Sequence, residues 1–331
     1  MRNSLSIIIL LLGIGFSNAQ PATSYYDAVD GKKGAAVKTA LMEVIDGHTE
    51  RTYEQLWTDF RVTDCRSDGK VWDMYSNVTN YIFGDDQNTG GGGSEGADYN
   101  REHSMPKSWF RNGYPMYTDL FHMYPTDSYI NNMRGNYPFG EVGTVTKQSK
   151  GGFSKLGKSS VSGYSGTVFE PADEYKGDFA RTYFYMVTRY ENQVAGWSSD
   201  MLSGNAYPAF TDWALEVLLK WHRQDPVSEK EINRNNAVFG IQHNRNPYID
   251  YPVLAEFVWG ELTHMSVDKD KLVLYSHEYD VSSIATPQDE GYTVVAVYDL
   301  AGRCIEHATR GMYIVCYRRA DGLVFSRKEM R

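Results

Sequence analysis

The sequence predicts an α+β fold, because helical and strand-like patterns occupy different parts of the chain. Before about residue 263 apolar residues recur at helical spacing, whereas the remainder contains short alternating runs. The 331 residues are 41% hydrophobic and 14% aromatic, which supplies a sizeable core and excludes disorder throughout. Three cysteines in this length exclude a small disulfide-stapled protein. We expect a largely helical domain over residues 20–264 and a small β-rich domain over residues 265–331.

The first nineteen residues have the pattern of a secretory signal peptide. Arg2 precedes the apolar run 7–16, and the segment that ends at Ala19 has a small-x-small pattern. The run is short for a transmembrane helix, and a retained anchor is the alternative. We expect cleavage after Ala19 and no membrane insertion of the mature chain. The protein is then secreted or held at the cell surface, with the periplasm as the second location.

Apolar spacing predicts five helices in the larger domain. They lie near residues 37–45, 53–60, 178–192 and 212–223, and the last begins at residue 228. Asp212 suits the N-cap of the fourth helix, and Ser228 with Glu231 has the spacing of a capping box. Two glycine-rich stretches, 89–96 and 151–166, predict loops, the first of them mobile.

The smaller domain is predicted from alternating runs at 272–275, 293–298 and 313–317. Cys304 and Cys316 could pair in this sheet, and the sequence leaves that open. Residues 297–303 and 310–315 resemble, over a short stretch, the C-terminal β-sandwich sorting domain of type IX secretion. The alternative is a small β-rich appendage without a sorting role.

The densest cluster of polar and aromatic residues lies between Tyr99 and Val142. Its segments read YNREHSMPKSWF from Tyr99, DLFHMYPTD from Asp119 and NNMRGNYPFGEV from Asn131. A phosphodiester hydrolase needs a base that titrates near neutral pH, hard oxygen ligands for a divalent cation, and a positive group for the phosphate. The histidines, carboxylates, asparagines and arginines of this cluster supply all three.

At these residues the sequence resembles the endonuclease I family, secreted or periplasmic nucleases of the His-Me finger (ββα-metal) class. The resemblance runs from about residue 72 to residue 260. It includes VFEP from Val168, KGDFAR from Lys176 and QHNRNPYID from Gln242. It implies a ββα-metal finger embedded in the helical domain, and a sequence-nonspecific endonuclease that leaves 5′-phosphate ends.

The resemblance also implies roles for individual residues. His103 matches the general base that activates the attacking water. Glu102 and Asn131 match the ligands of a single Mg²⁺-like ion, with Ca²⁺ or Mn²⁺ as alternatives. Because neighbouring strand residues face opposite sides, Glu102 or His103 must lie at a strand end or bend. In the finger the metal-binding Asn lies on the following helix, where Asn131 and Arg134 share a face.

The arginine that grips the phosphate has two candidates, because the insertion that carries it in some members is missing here. Arg134 is the preferred catalytic candidate, and Arg111, together with Lys107, is a substrate-binding candidate. Two positions depart from the family. Phe121 stands where many members have His, and His243 stands where Gly is usual, in a loop that can require a positive φ.

Several histidines outside the proposed base are expected to have other roles. His122 is expected to be structural and hydrogen-bonded inside the finger. His222 and His243 are expected at the surface or as minor substrate contacts, and zinc is not expected as a cofactor.

The distribution of charge bears on the substrate. The net charge is −9, which argues against a generally basic nucleic-acid binder. Residues 101–160 nevertheless contain eight Lys and Arg against four Asp and Glu, a net of +4, so the remainder carries −13. This favours transient, salt-sensitive contact with a phosphate backbone. The leading hypothesis is a secreted, monomeric, metal-dependent endonuclease that cuts DNA, and the sequence leaves open whether it also cuts RNA. The alternatives are a non-catalytic secreted binding protein and a phosphodiesterase for small substrates.

Overall fold

The structure is a computed structural model that describes residues 21–275 apart from residues 23 and 91, together with strands at 293–298, 312–318 and 324–330. The chain divides into two compact units, residues 1–279 and residues 280–331. The division falls after the boundary expected near residue 265. Residues 266–275 stay with the larger unit because Val267 exchanges backbone hydrogen bonds with Gly31 and Lys32, and Tyr275 donates to the carbonyl of Asp250. The predicted signal peptide and Cys304 lie outside the described residues.

The larger unit is mostly helical. Its α-helices are α1 (Ala35–Ile45), α2 (Leu56–Thr63), α3 (Ser128–Arg134), α4 (Lys176–Arg189), α5 (Glu191–Val194), α6 (Asp212–Gln224), α7 (Glu229–Gln242), α8 (Pro247–Asp250) and α9 (Leu254–Val258). The five helices predicted from apolar spacing correspond to α1, α2, α4, α6 and α7, with ends that differ by a few residues.

The first residues of α6 and α7 show whether the predicted N-caps are correct. The capping box at α7 is confirmed, because Ser228 Oγ accepts from the amide of Glu231 while the Glu231 carboxylate accepts from the amide of Ser228 at 3.0 Å. The N-cap prediction for Asp212 is wrong by one residue, since Thr211 occupies the N-cap and Asp212 is the first residue of α6. Asp212 still places a negative charge in the first turn, where the helix dipole favours it.

Helix α4 is the central element of the larger unit, and all fourteen of its residues are buried. It packs against α1, α6 and α8. Its charged side chains are paired: Nε and Nη2 of Arg181 donate to the two oxygens of the Glu231 carboxylate, at 2.6 and 2.8 Å. The hydroxyls of Thr182 and Tyr124 lie 2.7 Å apart and attach α4 to the strand that carries Tyr124. The helix is therefore a rigid support for that strand and its neighbour.

Two small antiparallel sheets belong to this unit. The first pairs β1 (Tyr99–His103) with β2 (Met123–Asp127), and the second has the order β3 (Val142–Gln148), β4 (Lys155–Ser159), β5 (Thr167–Glu170). The loop predicted over residues 151–166 is therefore wrong for β4. Pairing on both sides stabilises this Gly- and Ser-rich stretch, and a Cβ at Gly157 would collide with the carbonyl of Thr144 in the neighbouring strand.

The smaller unit contains β6 (Thr293–Tyr298), β7 (Met312–Arg318) and β8 (Val324–Met330), paired antiparallel in that order. β6 and β7 confirm the strands predicted at 293–298 and 313–317. The run 272–275 forms no strand. Among the described residues, no helix has the length and apolar character that a membrane span requires.

Candidate active site

The site is built on β1, β2 and α3, which follow one another as strand, strand and helix. α3 begins directly after β2 because Asp127, the last residue of β2, caps it: one carboxylate oxygen accepts from the amide of Ile130 at 2.8 Å. The other oxygen accepts from the hydroxyl of Tyr81 and from the amide of Gly96. A single buried carboxylate thus fixes where the helix starts.

Alternate residues of β1 face α3. Asn100 and Glu102 are two residues apart and lie on one side of the strand, while Asn131 and Arg134 are three apart and share one face of the helix. Asn131 Nδ2 donates to Asn100 Oδ1 at 2.7 Å, and Arg134 Nη1 donates to Glu102 Oε1 at 2.7 Å. Strand and helix therefore hold these four side chains in two matched pairs.

His103 is the last residue of β1, which confirms that one member of the Glu102–His103 pair lies at a strand end. Its side chain is buried, and Nε2 lies 2.9 Å from the carbonyl oxygen of Tyr117. A carbonyl oxygen can only accept a hydrogen bond, so Nε2 carries the proton. In the neutral ring Nδ1 is then the basic nitrogen.

The surroundings of His103 keep the ring neutral. Burial lowers the pKa of His103 well below its ordinary value, and the nearby His122 and Lys107 act in the same direction, while the carbonyl of Tyr117 opposes them. The ring of Tyr53 stacks on the imidazole at 5.9 Å, and the ring of Tyr117 lies 4.7 Å away. At neutral pH the imidazole can therefore accept a proton from water.

The segment that presents the Tyr117 carbonyl is anchored to the helical core. Leu120 donates its amide to Gln242 Oε1 at 2.6 Å, and Gln242 Nε2 donates to Asp119 at 3.1 Å. The hydroxyls of Tyr185 and Tyr190 donate to the other oxygen of Asp119, at 2.9 and 2.7 Å. This carboxylate ties the segment to α4 and α7, and so holds the His103 partner in place.

His122 confirms its structural assignment. It is wholly buried, and its Nε2 lies 2.6 Å from the carbonyl oxygen of Met116. Burial lowers the pKa of His122 to about 4, although Asp119 and the Met116 carbonyl oppose the shift. His122 is therefore a neutral packing partner of the His103 ring, whose centroid is 5.6 Å away.

Glu102 is buried and held from two directions. Its Oε1 accepts from the hydroxyl of Tyr75 at 2.8 Å and from Arg134. Burial raises the pKa of Glu102, and Arg134 and Tyr75 oppose that shift. The hydrogen bonds from Tyr75 and Arg134 both reach Oε1, and Oε2 receives neither of them. One carboxylate oxygen is thus fixed while the other is left to bind a further group.

The glycine-rich loop supports Asn131 from the other side. Asn100 Nδ2 donates to the carbonyl of Gly90 at 3.1 Å, which orients the Asn100 oxygen toward Asn131. The loop also lies against the start of α3, where a Cβ on Gly92 would be 2.9 Å from the amide nitrogen of Tyr129. Because Nδ2 of Asn131 is occupied, its Oδ1 is the atom left for a ligand.

The side chains at this site offer oxygen ligands for a divalent cation. The described part of the chain has no group of three or more His, Cys, Asp and Glu side chains that could hold a metal. The available donors are instead Glu102 Oε2 and Asn131 Oδ1, two hard oxygens that the hydrogen bonds with Tyr75, Arg134 and Asn100 do not use. A carboxylate with an amide oxygen fits Mg²⁺, which keeps several waters, better than zinc, which prefers nitrogen and sulfur ligands.

Arg134 has a different position from the one expected of a phosphate-gripping residue. Its side chain is 1% exposed. Besides Glu102, the guanidinium donates to the carbonyls of His103, at 2.9 Å, and Ser104, and to the hydroxyl of Tyr183 at 3.3 Å. This burial argues against direct contact with a phosphate, because the guanidinium is already surrounded by protein acceptors. What Arg134 holds is the carboxylate of Glu102 and the end of β1.

The two other predicted cations are exposed. Lys107 begins a 3₁₀ turn at residues 107–110, and its Nζ lies 3.5 Å from the hydroxyl of Tyr117. Arg111 ends that turn in the left-handed conformation, with φ of 55°. Lys107 therefore lies beside the residue that orients His103, and Arg111 lies at the far end of the same turn.

Sequence reasoning missed three residues that support the site: Tyr75, Asn100 and Tyr183. Asn100 carried a usable signal, because it precedes Glu102 by two residues and so shares its side of β1. Tyr75 and Tyr183 come from distant segments and had no local signal.

Of two further histidine predictions, the one for His222 is wrong, whereas His243 is exposed, as expected. His222 is wholly buried rather than at the surface, with its Nε2 3.0 Å from the carbonyl oxygen of Pro252. His243 ends α7 in the left-handed conformation, with φ of 65° and Nδ1 2.9 Å from the hydroxyl of Thr49. The departure from Gly at position 243 thus falls at a residue with the positive φ that Gly tolerates best.

Comparison with known proteins places the chain in a family. Residues 33–253 match Endonuclease I. An extracellular ribonuclease of Bacillus amyloliquefaciens is 37% identical over 245 residues, which is 71% of this chain and 78% of that protein. The extracellular ribonuclease of Bacillus subtilis is 35% identical over 243 residues, with the same coverage. Endonuclease-1 of Buchnera aphidicola subsp. Acyrthosiphon pisum is 27% identical over 133 residues, 40% of this chain and 44% of that protein. The chain therefore belongs to the endonuclease I family and is a nuclease.

Proposed function

We propose that this nuclease is a metal-dependent, sequence-nonspecific endonuclease in which His103 is the general base. The observation that supports it best is the state of the imidazole: buried, neutral, and oriented through Nε2 by the Tyr117 carbonyl. A base in this state removes a proton from water at neutral pH, and Nδ1 is the atom that takes it. The strand-strand-helix unit around it is then a ββα-metal finger.

Glu102 and Asn131 would hold a single divalent cation, with Mg²⁺ favoured by the oxygen donors and Ca²⁺ or Mn²⁺ as alternatives. When bound there, the ion would supply Lewis-acid chemistry, namely polarisation of the scissile phosphate and stabilisation of charge on the leaving oxygen. The protein contributes the orientation: Tyr75 and Arg134 fix one oxygen of Glu102, and Asn100 fixes the amide of Asn131.

We assign the phosphate contact to the exposed cations Arg111 and Lys107, and we assign Arg134 the role of a positioning residue. The reason is burial, since the Arg134 side chain is 1% exposed while Lys107 and Arg111 lie at the surface. Neither sequence specificity nor tight binding is expected, because the contacts are to the phosphate backbone.

The comparisons support several finer proposals. Two relatives are named extracellular ribonucleases and another endonuclease-1, so we propose both RNA and DNA as substrates. The same names, with the signal-like segment 1–19, support secretion or surface display, with the periplasm as the second location. We further propose 5′-phosphate ends and a monomeric enzyme that has no membrane insertion after cleavage at Ala19.

The test uses purified mature protein with plasmid DNA and with RNA, in Mg²⁺ and in Mg²⁺ plus a chelator. We expect cleavage of both that the chelator abolishes, and product ends that accept a kinase label only after phosphatase treatment. His103→Ala is expected to abolish turnover while the fold is retained, and the exposed His264 provides a control in His264→Ala. Undiminished cleavage in chelator, or by the His103 variant, would overturn the mechanism.

A further inference from the structure

Three tyrosines form a connected series of tilted ring contacts that leads away from the proposed base. The ring of Tyr117 lies 4.7 Å from the imidazole of His103, 5.0 Å from the ring of Tyr53 and 5.2 Å from the ring of Tyr114. Tyr53 also stacks on the imidazole, with 19° between the planes. We name Tyr53, Tyr117 and Tyr114 the tyrosine ladder.

Exposure increases along the ladder. Tyr53 and Tyr117 are half-buried, whereas Tyr114 is 53% exposed, the highest value among the exposed large hydrophobic and aromatic side chains of the described residues. Within those residues the only ring against Tyr114 is that of Tyr117. Most of the aromatic surface of Tyr114 is therefore free, and the ring that it does contact, Tyr117, lies against the proposed catalytic base His103.

Positive groups accompany the rings. Lys107 Nζ, at the surface, lies 5.3 Å from the centre of the Tyr117 ring, whereas the Arg101 guanidinium, 3.5 Å from the centre of the Tyr53 ring, is buried and packs against that ring rather than facing solvent. Arg111 is exposed three residues before Tyr114. Aromatic faces that alternate with cations are the arrangement by which proteins bind single-stranded nucleic acid, since the bases stack on the rings and the phosphates meet the cations.

We propose that the tyrosine ladder stacks an unpaired nucleobase next to the scissile phosphate, with Tyr114 as the residue in direct contact. The proposal rests on the nuclease function proposed above and specifies its substrate class as single-stranded nucleic acid. In a duplex both faces of each base are already stacked, and a base must leave the helix before it can occupy such a platform. The ladder therefore gives single strands an advantage that duplexes lack.

The test compares kcat/KM on single-stranded RNA, single-stranded DNA and duplex DNA of one sequence. Loss of a base-stacking aromatic weakens binding about 5- to 100-fold. We expect Tyr114→Leu to lower kcat/KM on the single strands by about fivefold or more, mainly through KM, and to change the duplex value much less. Tyr114→Phe keeps the ring and is expected to restore the preference. Tyr137, exposed to 45% and outside the ladder, gives the control Tyr137→Leu.

A binding measurement separates this proposal from the catalytic one. In the background His103→Ala, a single-stranded oligonucleotide that contains 2-aminopurine should lose fluorescence on binding, and Tyr114→Leu should remove that quenching. An equal loss on single strands and duplex, an equal effect of Tyr137→Leu, or unchanged quenching in Tyr114→Leu would overturn the ladder. A loss confined to RNA or to single-stranded DNA supports the ladder and identifies which strand uses it. Failure of the wild-type protein to cleave any substrate contradicts the nuclease mechanism instead, whatever the fluorescence shows.

Discussion

Replacement of Arg134 by Met should destabilise the larger unit strongly, because it removes the partner of a buried carboxylate. Arg134 donates to Glu102 at 2.7 Å, to the carbonyl of His103 at 2.9 Å and to that of Ser104, with its side chain 1% exposed. Met fills much of the same space but donates no hydrogen bond. Glu102 would keep the hydrogen bond from the Tyr75 hydroxyl and lose the one from the Arg134 guanidinium.

The expected magnitude follows from the burial of this pair. Removal of one partner of a buried ion pair costs about 3–5 kcal/mol, because the other charge is left without compensation. For a unit of this size that lowers Tm by roughly 6–20 °C. Burial already raises the pKa of Glu102, and loss of Arg134 raises it further. The unfolded carboxyl titrates near its ordinary value. The free energy of unfolding that Arg134→Met loses should therefore grow as the pH rises from that value through the raised folded-state pKa of Glu102, and it should shrink in acid.

Urea unfolding followed by tryptophan fluorescence, at pH 5 and pH 8, measures this effect. Arg223→Met is the control, because Arg223 also pairs with a glutamate, Glu256, at 2.7 and 2.8 Å, but is 43% exposed. An exposed pair of this kind contributes about 0–1 kcal/mol. If Arg134→Met costs no more than Arg223→Met, or costs the same at both pH values, the positioning role of Arg134 is refuted.

Three further outcomes are expected. Asn100→Ala should weaken Mn²⁺ binding about 10- to 100-fold in a spectroscopic titration, because Asn100 orients the amide of Asn131; unchanged affinity would contradict that role. The pKa of His122 is about 4 in the folded protein and about 6.5 in the unfolded chain. The unfolded chain therefore takes up the proton first, and the free energy of unfolding should fall by about 3 kcal/mol as the pH falls from 6.5 to 4. His122→Gln should flatten that part of a pH series of urea melts, and an equally steep series would count against the assignment. Gly92→Ala should lower the free energy of unfolding by about 1–3 kcal/mol, because the added Cβ would collide with the amide of Tyr129. Gly93→Ala has open space around it and should change stability little. Equal Tm values for the two variants would show that the loop moves to accommodate the Cβ on residue 92.

The parts of the fold that local patterns govern were predictable from sequence. Ser228 and Glu231 interact across three residues, so their spacing alone predicts the start of α7. Strand β4 was not predictable in the same way, because its Gly- and Ser-rich residues gain their conformation from β3 and β5, which lie in other parts of the sequence. Its stability is a property of the sheet rather than of the segment.

In the candidate site too, features governed by local sequence patterns were predictable, whereas features that depend on distant residues were not. The shared helical face of Asn131 and Arg134 was predictable, because it follows from helical spacing and the resemblance. The burial of Arg134 did not follow, because it depends on Tyr183 in α4 and on the end of β1. Sequence therefore indicated which residues meet, but not which of them remain accessible to substrate.

The anchoring of the Tyr117 segment has a consequence for the order in which activity arises during biosynthesis. His103, Glu102 and Asn131 lie within a short span of the chain, yet the contact that secures Leu120 comes from Gln242, 122 residues further on. Contacts so distant in sequence form only after most of the domain has been made, because the intervening chain must first be closed into a loop. A chain still emerging from the ribosome would carry every reactive group without the support that orients the imidazole. We expect such a nascent chain to leave the nucleic acids of the cell that makes it intact.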